Sequence, residues 1–177
     1  NTILSAAGEN ENKKIWMFSA TMPKQILALV KQHFADPELV KVTRKNLTAD
    51  SVKQQFCVVR RRDQVEALCR YLDFHQNTYA IVFTRTKVGA KEITDELNMR
   101  GFPSDALHGD MSQEQRDLTM KKFKEKKINL LICTDVAARG IDVNDLTHVI
   151  NFSLPQDNES YVHRIGRTGR GGSQGIA

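Results

Sequence analysis

Cysteine is scarce in this chain: three in 177 residues, none spaced as a metal ligand. Cys57, Cys69 and Cys133 therefore offer no zinc-cluster pattern, and an odd count fits reduced thiols rather than a disulfide framework. No apolar run is long enough to span a bilayer, and no secretory leader precedes the first apolar segment. The phosphate-cradling pattern G-x-x-x-x-G-K-[ST] is missing; neither the residues around Gly8 nor those from Gly166 to Gly175 approximate it. No G-x-G-x-x-G follows a strand-like run, which removes the usual basis for dinucleotide binding. Charge is only mildly one-sided: a net +5 leans towards a polyanionic partner but decides little alone. The Asn-x-Ser/Thr matches at Asn46 and Asn158 are frequent by chance and mean nothing in the cytosol. The chain reads as soluble and cytoplasmic. Starting at Asn1 without a methionine and stopping as an apolar run begins at Ile176, it reads as a segment of a longer protein.

What is present is an alternation. A hydrophobic content of 40% supports a packed core. Short β-branched or aromatic runs predict strands at Ile15–Phe18, Leu39–Val42, Phe56–Val59, Ala80–Phe83, Leu130–Cys133 and Val149–Phe152. Several are continuously apolar, as strands buried on both faces are. Helical spacing links Val65, Leu68, Cys69 and Leu72, and again Ala90, Ile93 and Leu97, with Gly101 as the stop. Ser112 and Gln115 predict a capping box opening a helix towards Phe123. Thr21 predicts a cap for a helix carrying Ile26, Leu27, Val30 and Phe34. Strand and helix in alternation predict an α/β fold: an open parallel sheet with helices on both faces and ligands at the carboxyl ends of its strands. The polar, aperiodic stretch Thr43–Lys53 marks a linker. A boundary follows near residue 47, with a strand–helix–strand unit over 1–46 and the main domain over 47–177.

Two stretches concentrate chemistry. In His163-Arg164-Ile165-Gly166-Arg167-Thr168-Gly169-Arg170, three permanently charged arginines recur every third residue. A solvated basic helix end is the plainer reading. Against it stand the glycines, which cost helix stability with no structural gain readable from the sequence. Where such arginines converge they bind an anion, and phosphate is the obvious guest. Thr134-Asp135-Val136-Ala137-Ala138-Arg139-Gly140-Ile141-Asp142 follows a buried strand and releases hydroxyl, carboxylate and guanidinium groups within one loop. Either Thr134 or Asp135 alone would suit an ordinary turn. An Arg-Gly pair between two aspartates would not.

Together these stretches resemble the DEAD-box family of ATP-dependent RNA helicases in superfamily two. Ser19-Ala20-Thr21 resembles the family's motif III, Ile81–Thr86 motif IV, and Gln113-Glu114-Gln115-Arg116 the Q-x-x-R of motif IVa. Thr134–Asp142 matches motif V, and His163–Arg170 matches motif VI in full. The style, including Leu107-His108-Gly109-Asp110-Met111, is closest to bacterial general or cold-shock members. The resemblance covers nearly the whole chain. It implies a second RecA-like domain over 47–177, preceded by the tail of a first one.

By that resemblance Arg167 and Arg170 are arginine fingers on the γ-phosphate, and His163 couples that site to the first domain. Asp142 holds the nucleotide ribose, with Gly140 beside it. Thr86, Gly109, Gln113, Arg116 and Thr134 lie along the RNA backbone, while Arg139 and Arg164 tie motifs together. Ser19 and Thr21 link the ATP state to the RNA state. ATP with Mg²⁺ is the implied nucleotide, its metal held mainly by the first domain; no metal ligand is assigned here. RNA, single-stranded or duplex and without strong sequence preference, is the implied substrate, and the N-terminal RecA-like domain the implied partner. The Asp-Glu-Ala-Asp tetrapeptide is absent, like the P-loop, so only the finger side of phosphoryl transfer is in hand. The implied activity is local unwinding of RNA duplexes or remodelling of RNA–protein complexes. Two alternatives stay open: a stand-alone nucleic-acid-binding or adaptor module without ATPase, and a DNA-directed superfamily-two helicase. The lysine run Lys121–Lys127 reads as a solvated helix end, Trp16 as core, and His33, His75 and His148 as lacking ligand-like neighbours.

Overall fold

A computed structural model describes residues 14–18, 22, 24–34, 36–40 and 50–177. The chain divides into two compact units, Asn1–Thr43 and Arg44–Ala177. In the first, helix α1 (Lys24–His33) forms with no residue fully buried. Ile15–Phe18, expected as a strand, is not one: Trp16 is 76% and Phe18 88% exposed. A strand needs a neighbour to receive its backbone hydrogen bonds. Every strand of the sheet lies between residues 52 and 176, so none is offered among the described residues of this unit. Trp16 is accordingly not core. Leu39 and Val40 are likewise exposed and outside any strand, and the expected cap at Thr21 lies outside the described residues.

The second unit is built on one parallel six-stranded sheet. Its elements are β1 (Val52–Lys53), α2 (Gln64–Phe74), β2 (Ala80–Phe83), α3 (Lys87–Met99), β3 (Ser104–Leu107), α4 (Gln113–Lys124), β4 (Leu130–Cys133), β5 (His148–Asn151), α5 (Asn158–Ile165) and β6 (Gly175–Ile176). Strand order is β1-β6-β5-β2-β4-β3, all pairs parallel. The central strands explain themselves from sequence: Ala80-Ile81-Val82-Phe83 and Leu130-Leu131-Ile132-Cys133 are buried at every position. Alternate side chains enter two separate cores. Ile81, Phe83, Leu131, Cys133 and Val149 pack with Phe123 of α4 and with Ala137, Ala138 and Ile141 of the loop after β4. Ala80, Val82, Leu130 and Ile132 pack with Leu68, Cys69 and Leu72 of α2 and Ala90, Ile93 and Leu97 of α3. Each such side chain contributes about 1.5–3 kcal/mol when fully buried. The sheet is covered on both faces, and in such folds ligands sit at the carboxyl ends of the strands.

Local signals hold the helices in place. The Ser112 hydroxyl accepts from the Gln115 N–H and the Gln115 side chain accepts from the Ser112 N–H, the reciprocal cap expected for α4. Gly101 follows α3 with φ +84°. Two further strand expectations need correction, and one strand was missed. Phe56–Val59 is exposed extended chain, and the strand forms earlier, at Val52–Lys53. A bond from the Gln55 N–H to the Ala177 carbonyl continues the β1–β6 ladder. The expected Val149–Phe152 strand is shifted by one, to His148–Asn151. Edge strand β3 was not legible, because Ser104 and Asp105 break its apolar run; Asp105 instead receives the Thr119 hydroxyl and Lys122 ammonium of α4.

Candidate functional site

The chain leaves β2 towards α3 on one face and leaves β4 through a loop packed on the other, which opens a crevice at the carboxyl edge between them. Thr84–Thr86, His108–Gly109, Thr134–Asp142 and the segment after Asn151 all emerge there. Arg164, near the end of α5, is the crevice's anchor. It is 2% exposed, and its guanidinium clamps Asp135 with two bonds, Nε to Oδ1 at 2.6 Å and Nη2 to Oδ2 at 2.7 Å. Nη1 donates to Asn151 Oδ1 at 3.0 Å and to the Ser153 carbonyl at 2.6 Å, while the group lies 4.9 Å from the Phe83 ring centroid. A buried charge is tolerated because its donors are met and its countercharge is bidentate.

Helix α5 ends at Ile165, so of the three arginines only Arg164 is helical. Arg167 and Arg170 lie on the turn beyond. Arg167 Nη1 donates to the Ile141 carbonyl at 2.8 Å, which moors that turn to the loop after β4. Burial depresses the Arg167 pKa, and the Arg170 charge depresses it further. Arg170 is exposed, with Nε on the Gly166 carbonyl at 2.8 Å and Nη1 3.2 Å from Asp142 Oδ1. Two guanidiniums that repel each other and remain charged at neutral pH make a site for an anion. His163 is exposed; Gly140 takes φ +75° beside the exposed Asp142.

The glycines of this turn have structural work that the sequence did not reveal. Gly169 has φ +69°, and a Cβ there would meet Ser51 Oγ and Val52 Cγ2, both at 2.8 Å. The Ser51 hydroxyl donates to the Gly169 carbonyl at 2.7 Å, and buried Thr168 donates to the Leu146 carbonyl. The turn is thus pressed between β1 and the loop before β5. Gly169→Ala should lose about 1–2 kcal/mol from the left-handed backbone alone, before any clash. Chemical denaturation of the purified variant measures this as a lowered midpoint at unchanged slope.

A second group lines the β2–β3 side. Thr86 caps α3, its hydroxyl accepting from the Gly89 N–H at 3.0 Å. Gly109 is exposed with no atom near its missing Cβ, and Asp110 pairs with Lys87 at 2.7 Å. On α4, Gln113 bonds Asp117 at 2.8 Å, and Arg116 Nη2 donates to the Ala137 carbonyl at 3.2 Å, which ties α4 to the loop after β4. Thr134 stands half-buried at the end of β4. Arg139, expected as a tie between motifs, is exposed and has no side-chain partner among the described residues. Ser19 and Thr21 lie outside the described residues.

Over 161 residues the chain is 47% identical to the DEAD-box ATP-dependent RNA helicase CshA of Geobacillus kaustophilus, covering 91% of this chain and 34% of that protein. The CshA of Bacillus subtilis is equally similar, with 33% of its length covered. The sequence profile described as helicase conserved C-terminal domain matches residues 63–172. The chain belongs to the DEAD-box helicase C-terminal domain family. The chain spans about a third of the length of the curated relatives it matches (34% and 33%). Its α/β fold is RecA-like. Saccharomyces cerevisiae Dbp5 bound to RNA and ADP BeF3 matches with a TM-score of 0.85 at 28% identity, over 99% of this chain and 47% of that one. A DEAD box protein from Methanococcus jannaschii matches at 0.65 and 47% identity, over 99% and 46%.

Other charged and ligating groups of the chain resolve plainly. In the lysine run, Lys122 pairs with Asp105, Lys121 and Lys127 share Glu125, and Lys126 lies 5.6 Å over the Tyr79 ring, so three of the five lysines have a carboxylate beside them. Cys69 and Cys133 are buried and Cys57 exposed, all free; burial pushes the Cys133 thiol up. His75 and His148, without ligand-like neighbours in sequence, are brought together with ring centroids 5.5 Å apart. Among the described residues, however, no three His, Cys, Asp or Glu side chains gather to hold a metal ion. Among the described residues no helix is long and apolar enough to cross a membrane.

Proposed function

We propose that residues 47–177 are the second RecA-like domain of an ATP-dependent RNA helicase and residues 1–46 the end of its first. The observation that carries this reading is that Arg167, bonded to the Ile141 carbonyl, and Arg170, beside Asp142, both reach the loop after β4 from one turn that follows the Arg164–Asp135 clamp. Arg167 and Arg170 stabilise charge on the transferring γ-phosphoryl group, a role that needs fixed cations more than covalent chemistry. Asp142 and Gly140 receive the ribose, and His163 faces the first domain. P-loop, Mg²⁺ ligands and attacking water belong to that first domain. Thr86, Gly109, Gln113, Arg116 and Thr134 hold the RNA strand through phosphates and 2′-hydroxyls, so recognition is independent of base sequence. ATP and RNA close the two domains together and strain the duplex locally; hydrolysis releases the strand.

The RNA half of this reading is tested on the chain itself by anisotropy with a labelled oligo-uridine. Binding should be weak and should fall linearly in log–log form with salt, at roughly −0.7 per phosphate contact. Thr134→Val should weaken it, and a mixed-sequence RNA should bind alike. Salt-insensitive affinity, or strong preference for one sequence, refutes the assignment.

A further inference from the structure

We infer that Lys87 is a further phosphate-binding residue of the RNA wall, held in the free protein by Asp110 and transferred from that carboxylate to an RNA phosphate on binding. This rests on the RNA reading above and adds to it a residue and a device. Lys87 is the first residue of α3, directly after the capping Thr86, and its ammonium meets Asp110 Oδ2 at 2.7 Å across the Gly109 turn. The pair therefore bridges two of the segments assigned to the RNA backbone. Both side chains are more than half exposed, at 56% and 53%, so neither is needed to fill the core and the contact is open to solvent. An exposed pair of this kind is held weakly, which makes its partner replaceable.

The surrounding charge sharpens the argument. Lys91 lies one helical turn beyond Lys87 on the same face and has no carboxylate partner among the described residues. His108, just before Gly109, is 6% exposed with Nδ1 unpartnered. Burial lowers its pKa first, then Lys91 and Lys87 lower it while Asp110 opposes, which places all three charges around one turn. The ring accordingly stays neutral at physiological pH. Lys87 in turn holds the Asp110 carboxyl well below its ordinary range. Asp110 is thus the anion that Lys87 holds at this edge. An arriving phosphate and Asp110 compete for the same ammonium: the phosphate gains Lys87 only as the carboxylate gives it up. Asp110 then lowers affinity for a phosphate backbone without removing a contact, which favours release of the strand.

The test measures affinity of the 177-residue chain for labelled oligo-uridine as a function of salt. Lys87→Met should make the log–log slope shallower by about 0.7, the loss of one phosphate contact. Lys87→Arg should keep the slope. Asp110→Asn should tighten binding about two- to five-fold, the span of an exposed charge pair. An unchanged slope in Lys87→Met, or binding by Asp110→Asn no tighter than wild type, overturns the exchange while the RNA reading stands. If wild-type binding is itself insensitive to salt, or Arg116→Ala leaves it untouched, the RNA reading fails and the exchange with it.

Discussion

Arg167→Ala or Arg170→Ala, in a helicase that joins this domain to its own first RecA-like domain, is expected to remove most RNA-stimulated ATP turnover. The rate should fall on the order of 10³- to 10⁵-fold, or about 4 to 7 kcal/mol of transition-state stabilisation, as for arginine fingers in related phosphoryl transfer. The structure supplies the physical reason for the size. Arg167 is half-buried and pushed down in pKa by burial and by Arg170, so its charge is poorly solvated before an anion arrives. A γ-phosphoryl group developing negative charge relieves that repulsion, and it does so most in the transition state. Arg170 starts differently, exposed and 3.2 Å from Asp142, and must leave that carboxylate to reach a phosphate. Lysine should rescue either position poorly, since it lacks the planar fork that bridges two oxygens. The 177 residues alone, without P-loop or Asp-Glu-Ala-Asp, should show no turnover above background. Steady-state ATPase against RNA concentration decides the matter. If both alanine variants keep near-normal turnover at saturating RNA, this turn is not the finger.

What could be read from sequence follows from how each signal arises. β2 and β4 were legible because a strand buried on both faces must be apolar at every position, and nothing else in a short run looks like that. The α4 cap was legible because both halves of a capping box are written three residues apart. The edges were not. β1 and β6 are two residues each: β1 pairs with β6 across more than a hundred residues of chain, and β6 in turn lies beside β5. β3 carries an aspartate whose partners lie on the next helix. Ile15–Phe18 is the reverse case, a strand-like sequence with no strand beside it among the described residues. In the crevice, the structure brings the stretches Thr84–Thr86, Thr134–Asp142 and His163–Arg170 to one edge, but the division among the three arginines was not legible. Equal spacing in sequence hides that α5 ends between the first and the second. Nor did the glycines reveal that one of them is pressed against β1. The Lys87–Asp110 pair was beyond reach as well, since it joins two loops that meet only when β3 takes its place outside β4.

Arg164→Ala should destabilise the domain more than any other single change in the motif. Its four polar contacts reach the loop after β4 through Asp135, the end of β5 through Asn151 and the following turn through Ser153. Removing the guanidinium leaves the Ser153 carbonyl and Asn151 amide without this donor and a void beneath Phe83, while Asp135, 44% exposed, recovers part of its hydration. Breaking a fully buried pair costs about 3–5 kcal/mol; the partial exposure of Asp135 sets the expectation near the lower end, about 3 kcal/mol. For a domain of this size that lowers Tm by on the order of 10 °C. Arg164→Lys should recover little, because an ammonium cannot keep a bidentate carboxylate and the Ser153 carbonyl together. Asp135→Asn should cost less than Arg164→Ala, and the double variant should cost less than the sum, which marks direct coupling. Thermal melts of the four proteins measure the cycle. A strictly additive pair, or an Arg164→Ala protein as stable as wild type, would show that the clamp does not hold the crevice together.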